Sequence, residues 1–222
     1  MMASRKDIDL ICFDVDGTLV NHPSGMVIWE ILNIRYGGSL ETNKKRYRMF
    51  HEGDITYDEW VALDIGDWLA AGATRDEILA CVAEFELVAG ARDTVDELVR
   101  RGYRLAIISG TLDIVLETLF PEHPFDDVYT NKLFFDDAGK LTSWRATLFD
   151  GHGKPDALRE ITDRHSIDIR RSAFVGDGEN DVPLLGIPGV VVAYEPRSVR
   201  LEKGADIVIK NEAFTRLLDI FD

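Results

Sequence analysis

Two aspartates that directly follow a short apolar run are the first residues of this chain that suggest chemistry. Asp14 and Asp16 come after Leu-Ile-Cys-Phe and just before Gly17 and Thr18. Strands tolerate aspartate poorly, and neighbouring carboxylates repel each other unless a cation or a proton lies between them. A spacing of two at a strand end puts both carboxylates on the same side of the chain. Taken alone, the segment is either a solvated acidic turn or a functional site.

Polar residues also follow two later apolar runs. Ser109 and Gly110 come after Leu-Ala-Ile-Ile, and Gly-Asp-Gly-Glu-Asn-Asp at 176–181 comes after Ser-Ala-Phe-Val. Lys154 stands behind a flexible Gly-His-Gly, at the head of a predicted helix. Open parallel sheets bind ligands beyond the carboxyl ends of their strands. We therefore expect these carboxylates, hydroxyls and the ammonium group to meet at one edge of a sheet.

This set of groups is typical of phosphoryl transfer. Several carboxylates at one place need a hard cation, and Mg²⁺ prefers oxygen ligands and waters. A phosphate adds negative charge, which a lysine, hydroxyls or backbone N–H groups must neutralise. One aspartate can attack phosphorus, while a second carboxylate protonates the leaving oxygen and later deprotonates water. The hypothesis is therefore transfer of a phosphoryl group to an aspartate with the help of Mg²⁺.

The elements that must position these groups follow from the apolar runs. Short runs rich in β-branched residues that end in polar or glycine-containing turns favour parallel strands buried on both faces. Amphipathic helical patterns lie between some of them, at 91–103 and 154–165, and another closes the chain at 212–221. The alternation predicts an α/β fold with a Rossmann-like, mostly parallel sheet and helices on both faces. The predicted strands cover 10–13, 105–109, 172–176, 189–194 and 205–210.

Residues 22–87 break this alternation and predict an inserted all-helical cap domain. They contain helical patterns separated by glycine-containing turns, and they suggest no strand. The α/β core domain is then formed by 1–21 and 88–222. A second interruption at 131–149 has apolar flanks around Asp-Asp-Ala-Gly-Lys, which predicts a β-hairpin.

Side chains of the insert have two interpretations each. We expect its aromatic residues mainly to pack between helices, with one or two facing the site. The basic run 44–48 predicts a solvated helix face or, alternatively, a patch that attracts an anionic substrate. The aromatic residues concerned are Trp29, Tyr57, Trp60 and Trp68.

Composition limits the partners and the location. The chain has 222 residues and a net charge of −15, which disfavours nucleic acid or an anionic membrane surface as a partner. Cys12 and Cys81 lie in apolar or helical contexts, which favours buried thiols over a disulfide.

No long apolar segment is present, so a cytoplasmic location without a signal peptide or membrane span is expected. A monomer or a homodimer is expected.

The four polar segments, in their order along the chain, resemble the motifs of the haloacid dehalogenase superfamily in its phosphatase branch. They are DVDGT, SGT, the lysine of GHGKPDAL and GDGEND. The resemblance implies that Asp14 is the nucleophile, that Asp16 is the general acid and base, and that Lys154 is a third catalytic residue. The predicted phosphate-binding residues are Thr18, Ser109, Gly110 and Lys154.

The resemblance also implies a magnesium site and a second shell around it. We expect Asn180 to support the site, and His22 and His51 to face the substrate. The implied magnesium ligands are Asp14, the backbone carbonyl of Asp16, Asp177 and Asp181.

Among members with a cap after the first motif, the phosphoserine phosphatases look most similar. The similarity includes DGTLVN, EGDITYDEW, RRGYRLAIISG and DAGKLT. Those enzymes recognise the amino and carboxylate groups of their substrate with a glutamate and a cap arginine. Here Pro23 stands at the glutamate position, Asp64 stands near the arginine position, and 49–74 contain no lysine or arginine. Because a carboxylate needs a cationic donor, the sequence argues against L-phosphoserine unless Arg46 or Arg48 substitutes.

The leading hypothesis is a Mg²⁺-dependent phosphatase that hydrolyses a small phosphorylated metabolite through an aspartyl-phosphate intermediate. One alternative is a phosphotransferase, in which an alcohol takes the phosphate from Asp14. A second alternative is a non-catalytic receiver-like module that is phosphorylated on aspartate. Receiver domains lack a cap and an aspartate two residues beyond the nucleophile, so Asp16 favours the enzyme.

Overall fold

A mostly parallel sheet runs through the protein, whose computed structural model describes residues 8–37 and 39–222. The strands are β1 (Leu10–Phe13), β2 (Val20–Asn21), β3 (Glu86–Leu87), β4 (Arg104–Leu112), β5 (Asp127–Phe135), β6 (Leu141–Arg145), β7 (Ser172–Gly176), β8 (Val190–Tyr194) and β9 (Ile207–Ile209). The sheet order is β6-β5-β4-β1-β7-β8-β9, and every neighbouring pair except β5–β6 is parallel. The predicted fold class is therefore confirmed.

Helices cover both faces of this sheet. They are α1 (Ile28–Tyr36), α2 (Leu40–Glu52), α3 (Tyr57–Ala70), α4 (Arg75–Val82), α5 (Ala91–Arg100), α6 (Asp113–Leu119), α7 (Lys154–Arg164), α8 (Val199–Gly204) and α9 (Leu217–Ile220). On β1, Ile11 and Phe13 belong to the core that α5 and α6 share, whereas Leu10 and Cys12 belong to the core under α7. Because strand side chains alternate between faces, a strand covered on both sides is apolar throughout.

The helices α1–α4 form one continuous segment between β2 and β3, which we call the four-helix segment (28–82). It leaves and re-enters the α/β part through β2 and β3, which pair antiparallel with Val20 opposite Leu87. Ser39 and Thr56 begin two of its helices, because their hydroxyls accept backbone N–H groups of the first turn. Domain boundaries at 22 and 87 stay a prediction.

The predicted β-hairpin is present and is formed by β5 and β6. β5 pairs antiparallel with β6 around the turn at Asp136–Lys140, and its first residues pair parallel with β4. The apolar alternation alone did not reveal this second role of β5.

Two elements differ from the sequence-based prediction. The predicted closing helix is shorter than expected, since a 3₁₀ turn at Phe214–Arg216 precedes the four-residue helix α9. β3 is a short strand inside the range for which helices alone were expected.

Both cysteines are buried free thiols, as expected. Burial raises the pKa of Cys12, which keeps this thiol protonated inside the core. In the described part of the chain, no helix combines the length and the apolar character that a bilayer crossing requires.

Candidate active site

The polar ends of β1, β4 and β7 meet at one edge of the sheet, as their order in the chain predicted. β1 lies between β4 and β7, and the Asp14 backbone N–H donates to Val175 O at 2.9 Å. A cavity of about 640 Å³ opens over this edge. The sequence-predicted residues that line it are Asp14, Asp16, Ser109, Gly110, Asp177 and Asn180.

Lys154 connects two of the predicted carboxylates from below the cavity. Its side chain is fully buried, and its Nζ donates to Asp14 Oδ1 at 2.7 Å and to Asp181 Oδ1 at 2.6 Å. Burial lowers the pKa of Lys154, but the charges of Asp14 and Asp181 outweigh this and raise it above its usual value. The lysine is therefore charged at neutral pH. It does not line the cavity, so it acts on the site by holding Asp14.

Asp181 fixes the loop that follows β7. Its Oδ2 accepts the backbone N–H of Asp177 at 3.0 Å and that of Gly178 at 2.9 Å, while Lys154 occupies its other oxygen. Both oxygens are thus engaged with protein groups. Asp181 therefore positions the backbone of Asp177 and the ammonium group of Lys154.

Arg197 belongs to this site but was missed by the sequence analysis. Its Nε donates to Asp177 Oδ2 at 2.5 Å, and its Nη2 donates to the backbone carbonyl of Asp16 at 3.2 Å. Burial raises the pKa of Asp177 to about 6, with the charge of Arg197 opposing the rise. Arg197 follows β8 and lies at the same sheet edge. Ligands bind beyond the carboxyl ends of parallel strands, so the residues that follow β8 also had to be considered as site residues.

Thr18, which the sequence predicts to bind phosphate, does not line the cavity. Its side chain is fully buried, and its hydroxyl donates to Asp177 Oδ1 at 3.3 Å. The intervening Gly17 has a φ of +88°, and a Cβ there would lie 2.1 Å from Arg197 Nη2 and 2.3 Å from Asp177 Oδ2. The tight Gly17 turn therefore directs Thr18 inward, beneath Asp177.

Ser109 and Gly110 form the opposite side of the cavity floor. Ser109 is buried, and its Oγ accepts the Thr111 backbone N–H at 3.1 Å. A Cβ at Gly110 would lie 2.2 Å from the Asp150 carboxylate, so only glycine lets the two segments approach this closely. Asp150 was not predicted, because it lies in the loop between β6 and α7 rather than directly after a strand.

Asp16 has the environment of a general acid. It lines the cavity, and its Oδ1 has no hydrogen-bond partner among the described residues. Burial raises the pKa of Asp16 to about 6, although the Thr111 hydroxyl and Arg197 oppose the rise. By contrast, Asp14 is held by Lys154, so the two aspartates have different surroundings and can have different functions.

Three carboxylates fit a divalent cation site. Asp14, Asp177 and Asp181 are buried, and each offers an oxygen that lies within 4.8 Å of the others. A donor set made only of oxygens suits a hard cation such as Mg²⁺. The type and the closeness of these oxygens therefore fit the predicted metal. Arg197 donates to Asp177 Oδ2 and to the Asp16 carbonyl, so an ion bound there would replace these two contacts.

Of the two histidines predicted to face the substrate, His22 has a described side chain, and it lies away from the cavity. His22 does not line the cavity, because its ring packs 4.8 Å from the Phe85 ring and bonds to Ser24 and Glu84. The side chain of His51 lies outside the described residues. Asn180 does line the cavity, and its Nδ2 donates to Asp150 Oδ1 at 3.0 Å.

The four-helix segment supplies the upper wall of the cavity, mostly with aromatic residues. Trp68 is fully buried between helices as expected, and its Nε1 donates to Asn33 Oδ1 at 2.8 Å. The other predicted aromatic residues face the cavity in larger number than the one or two expected. The aromatic residues of this wall are Trp29, Tyr47, Phe50, Tyr57 and Trp60.

The basic run 44–48 is not a uniformly solvated face. Arg46 is largely buried, and it donates to Asp64 Oδ1 at 2.6 Å and to Asp67 Oδ2 at 2.7 Å. Asp64, which stands near the expected position of the arginine, therefore binds an arginine from the neighbouring helix. This arrangement removes Arg46 as a substitute for the missing cap arginine.

We expect Arg46→Met to lower the free energy of unfolding by about 3 kcal/mol, because the buried Asp64 carboxylate loses its charged partner. Urea unfolding followed by circular dichroism measures the change. Arg48→Met is the control, since Arg48 and Glu41 form an exposed pair whose loss costs at most about 1 kcal/mol. Equal effects of the two substitutions would contradict a structural role for Arg46.

Comparison with known proteins decides the family. A family model for haloacid dehalogenase-like hydrolases matches residues 11–186. The chain belongs to the haloacid dehalogenase-like hydrolase family. The matched range begins in β1 and includes Asp14, Lys154 and Asp181, so it contains all four polar segments.

Relatives of this hydrolase include phosphoserine phosphatases. The phosphoserine phosphatase of Methanocaldococcus jannaschii is 29% identical over 215 residues, which cover 96% of this chain and 98% of that protein. Phosphoserine phosphatase SerB2 of Mycobacterium tuberculosis is 31% identical over 189 residues, 85% of this chain but 44% of that protein. A phosphoserine phosphatase structure with an analogue of the phospho-aspartyl intermediate matches with a TM-score of 0.74 and 27% identity, covering 97% and 99% of the two chains.

These matches confirm the predicted family, the predicted similarity to phosphoserine phosphatases and the predicted enzyme class, a phosphoric monoester hydrolase. The roles of individual site residues stay predictions.

Proposed function

We propose that the protein is a Mg²⁺-dependent phosphomonoesterase that hydrolyses a small phosphorylated metabolite through an aspartyl-phosphate intermediate on Asp14. The observation that carries the proposal is the pair of unlike aspartates on the cavity floor. Asp14 is held by Lys154 at 2.7 Å, whereas Oδ1 of Asp16 has no hydrogen-bond partner among the described residues. Burial raises the pKa of both aspartates, so the two differ in their contacts. A nucleophile and a proton donor are thus available at the same place.

The proposed reaction has two steps. The Asp14 carboxylate attacks phosphorus, so that a bond forms to Asp14 while the bond to the alcohol oxygen breaks and Asp16 gives that oxygen a proton. Asp16 then takes a proton from water, which attacks the phosphorus and releases Asp14 and inorganic phosphate. A pKa of about 6 lets Asp16 be protonated in part of the molecules near neutral pH and ionised in the rest.

The remaining groups of the site orient the reactants. Lys154 holds Asp14, and Ser109 with the backbone N–H groups near Gly110 is proposed to bind the phosphate oxygens. We propose that Mg²⁺ is bound by Asp14, Asp177 and the Asp16 carbonyl, where it neutralises phosphate charge. A small substrate is favoured because the four-helix segment covers a cavity of about 640 Å³.

Chelation of divalent cations tests the metal assignment. We expect exhaustive treatment with EDTA to lower hydrolysis of an aryl phosphate by at least about a hundredfold, and added Mg²⁺ to restore it. Released phosphate and the aryl alcohol report turnover, and circular dichroism of the chelated protein confirms that it stays folded. Undiminished hydrolysis by the folded, chelated protein would rule out the metal.

The phosphotransferase alternative predicts a different product balance. If an added alcohol lowers the yield of free phosphate while release of the aryl alcohol is unchanged, the acceptor takes the phosphoryl group.

The receiver-like alternative predicts no turnover at all. Asp16 favours an enzyme over the receiver-like module, because it provides a base beside Asp14 for the group that attacks the phosphorus, whether water or an alcohol. A cytoplasmic location and a monomeric or dimeric state stay predictions.

A further inference from the structure

The aromatic wall of the cavity contains a cluster of four rings around Trp60, and Trp29 also lines the cavity. The Trp60 ring lies 5.9 Å from the Tyr47 ring, 5.4 Å from the Phe50 ring and 6.3 Å from the Tyr57 ring. Tyr47 and Tyr57 stand nearly perpendicular to Trp60, at 80° and 78°. Such a cluster offers π-electron density and apolar surface to a bound ligand.

Three hydrogen bonds connect this wall to Gly110, at the phosphate end of the site. Trp29 Nε1 donates to the Gly110 carbonyl at 2.8 Å. Asn131 Nδ2 donates to the same carbonyl at 2.7 Å and to the Tyr57 hydroxyl at 2.9 Å. A phosphate held at Ser109 and Asp14 would therefore direct the alcohol part of its ester towards the aromatic rings.

The charges around the wall are mainly negative. Besides Asp14, Asp16 and Asp177, four carboxylates line the cavity: Glu30, Asp64, Asp150 and Glu179. Asp64 is paired with Arg46 and Glu179 with Arg200, whereas no ion pair is found for Glu30 or Asp150 among the described residues. Among the described residues of the lining, Arg197 is the single lysine or arginine, and it is bound to Asp177. His152 is the other basic side chain there, and its ring lies 6.5 Å from that of Phe50.

We propose that the alcohol part of the substrate carries an ammonium or quaternary ammonium group and no carboxylate, and that the aromatic wall recognises this cation. The inference rests on the proposed phosphatase function and adds the substrate class. Tryptophan and tyrosine rings attract cations, and the surrounding carboxylates strengthen the attraction. A carboxylate would meet the negative charges of Glu30 and Asp150 without an available arginine.

Three phosphate esters of similar size distinguish a cation from the other possibilities. The alcohol part carries an ammonium group in phosphoethanolamine, no charge in ethylene glycol monophosphate and a carboxylate in phosphoglycolate. We expect kcat/KM for phosphoethanolamine to exceed that for the neutral ester by about tenfold, and phosphoglycolate to be the poorest of the three. Phosphocholine, tested in parallel, shows whether a quaternary ammonium is preferred.

Trp60→Leu tests the wall itself. We expect this variant to raise KM for phosphoethanolamine about tenfold and to change KM for ethylene glycol monophosphate by less than about threefold. Phe134→Leu is the matched control, because Phe134 is an exposed aromatic residue of β5 outside the cavity lining. Quenching of tryptophan fluorescence by choline, compared with its uncharged carbon analogue 3,3-dimethylbutanol, measures cation binding without turnover.

An aryl phosphate separates failure of this inference from failure of the phosphatase. If the aryl phosphate is hydrolysed but phosphoglycolate matches or exceeds phosphoethanolamine, the cation inference is wrong and the phosphatase remains. Equal kcat/KM for all three esters also overturns it, as does equal binding of choline and its uncharged analogue. If no ester, including the aryl phosphate, is hydrolysed, the phosphatase proposal fails, and the binding comparison alone decides about the cation.

Discussion

Asp14→Asn is expected to lower kcat by at least about a thousandfold with every phosphate ester, because an amide cannot form the aspartyl-phosphate bond. The substitution keeps the shape of the side chain and an oxygen that can accept from Lys154, but it removes the negative charge of Asp14. The predicted loss is in the chemical step and not in substrate binding. Steady-state kinetics with an aryl phosphate gives kcat and KM separately, and KM should change far less than kcat.

Trapping of the intermediate makes this test specific to Asp14. Acid quenching during turnover of a ³²P-labelled ester should leave label on the parent protein, hydroxylamine should release it, and Asp14→Asn should carry none. Asp137→Asn, in the exposed turn of the hairpin, is the control and should behave like the parent in both measurements. Label of equal amount on the Asp14→Asn protein would show that another residue accepts the phosphoryl group.

The second large effect is expected for Lys154→Met, which should lower the free energy of unfolding by about 3–5 kcal/mol and nearly abolish turnover. Lys154 is fully buried, and it is the charged partner of both Asp14 and Asp181. Without it, two buried carboxylates remain close together with no compensating charge. Urea unfolding at neutral pH in the presence of EDTA measures the loss, because a bound cation would replace part of the missing charge.

A lysine on the surface is the control that shows how much of the stability loss comes from the burial of Lys154 and how much from the loss of any lysine charge. Lys210→Met removes a lysine whose pair with Glu202 is solvent-exposed, so we expect a change of at most about 1 kcal/mol. Added Mg²⁺ should stabilise the Lys154→Met protein more than it stabilises the parent. A stability loss no larger than that of Lys210→Met would mean that Lys154 is not needed to compensate the buried carboxylates.

Local sequence was sufficient to predict which residues form the floor of the cavity. The apolar runs identified β1, β4 and β7, and residues directly beyond these strands meet because parallel strands end at the same sheet edge. Asp14, Ser109 and Asp177 were found in this way. Their positions depend on the strands alone, which are specified by a continuous apolar pattern of a few residues.

Some residues near these motifs had roles that the motif could not reveal. Thr18 lies in the same turn as Asp16, yet the Gly17 backbone turns it beneath Asp177 instead of into the cavity. His22 follows the first motif closely, but its ring packs against Phe85 at the far end of the insert. The direction in which each of these side chains points depends on contacts between residues that are distant in sequence.

The sequence by itself therefore determined the family and the sheet and predicted the reacting groups, since each of these is encoded in short runs of neighbouring residues. Only the tertiary structure decided what surrounds the alcohol part of the substrate. It joined Arg46 to Asp64, brought Arg197 to Asp177, and turned Trp60 towards the cavity while Trp68 packs inside. The physical reason is that the helical period marks which residues are buried, but the packing of one helix against another decides which of them meet each other and which meet the ligand.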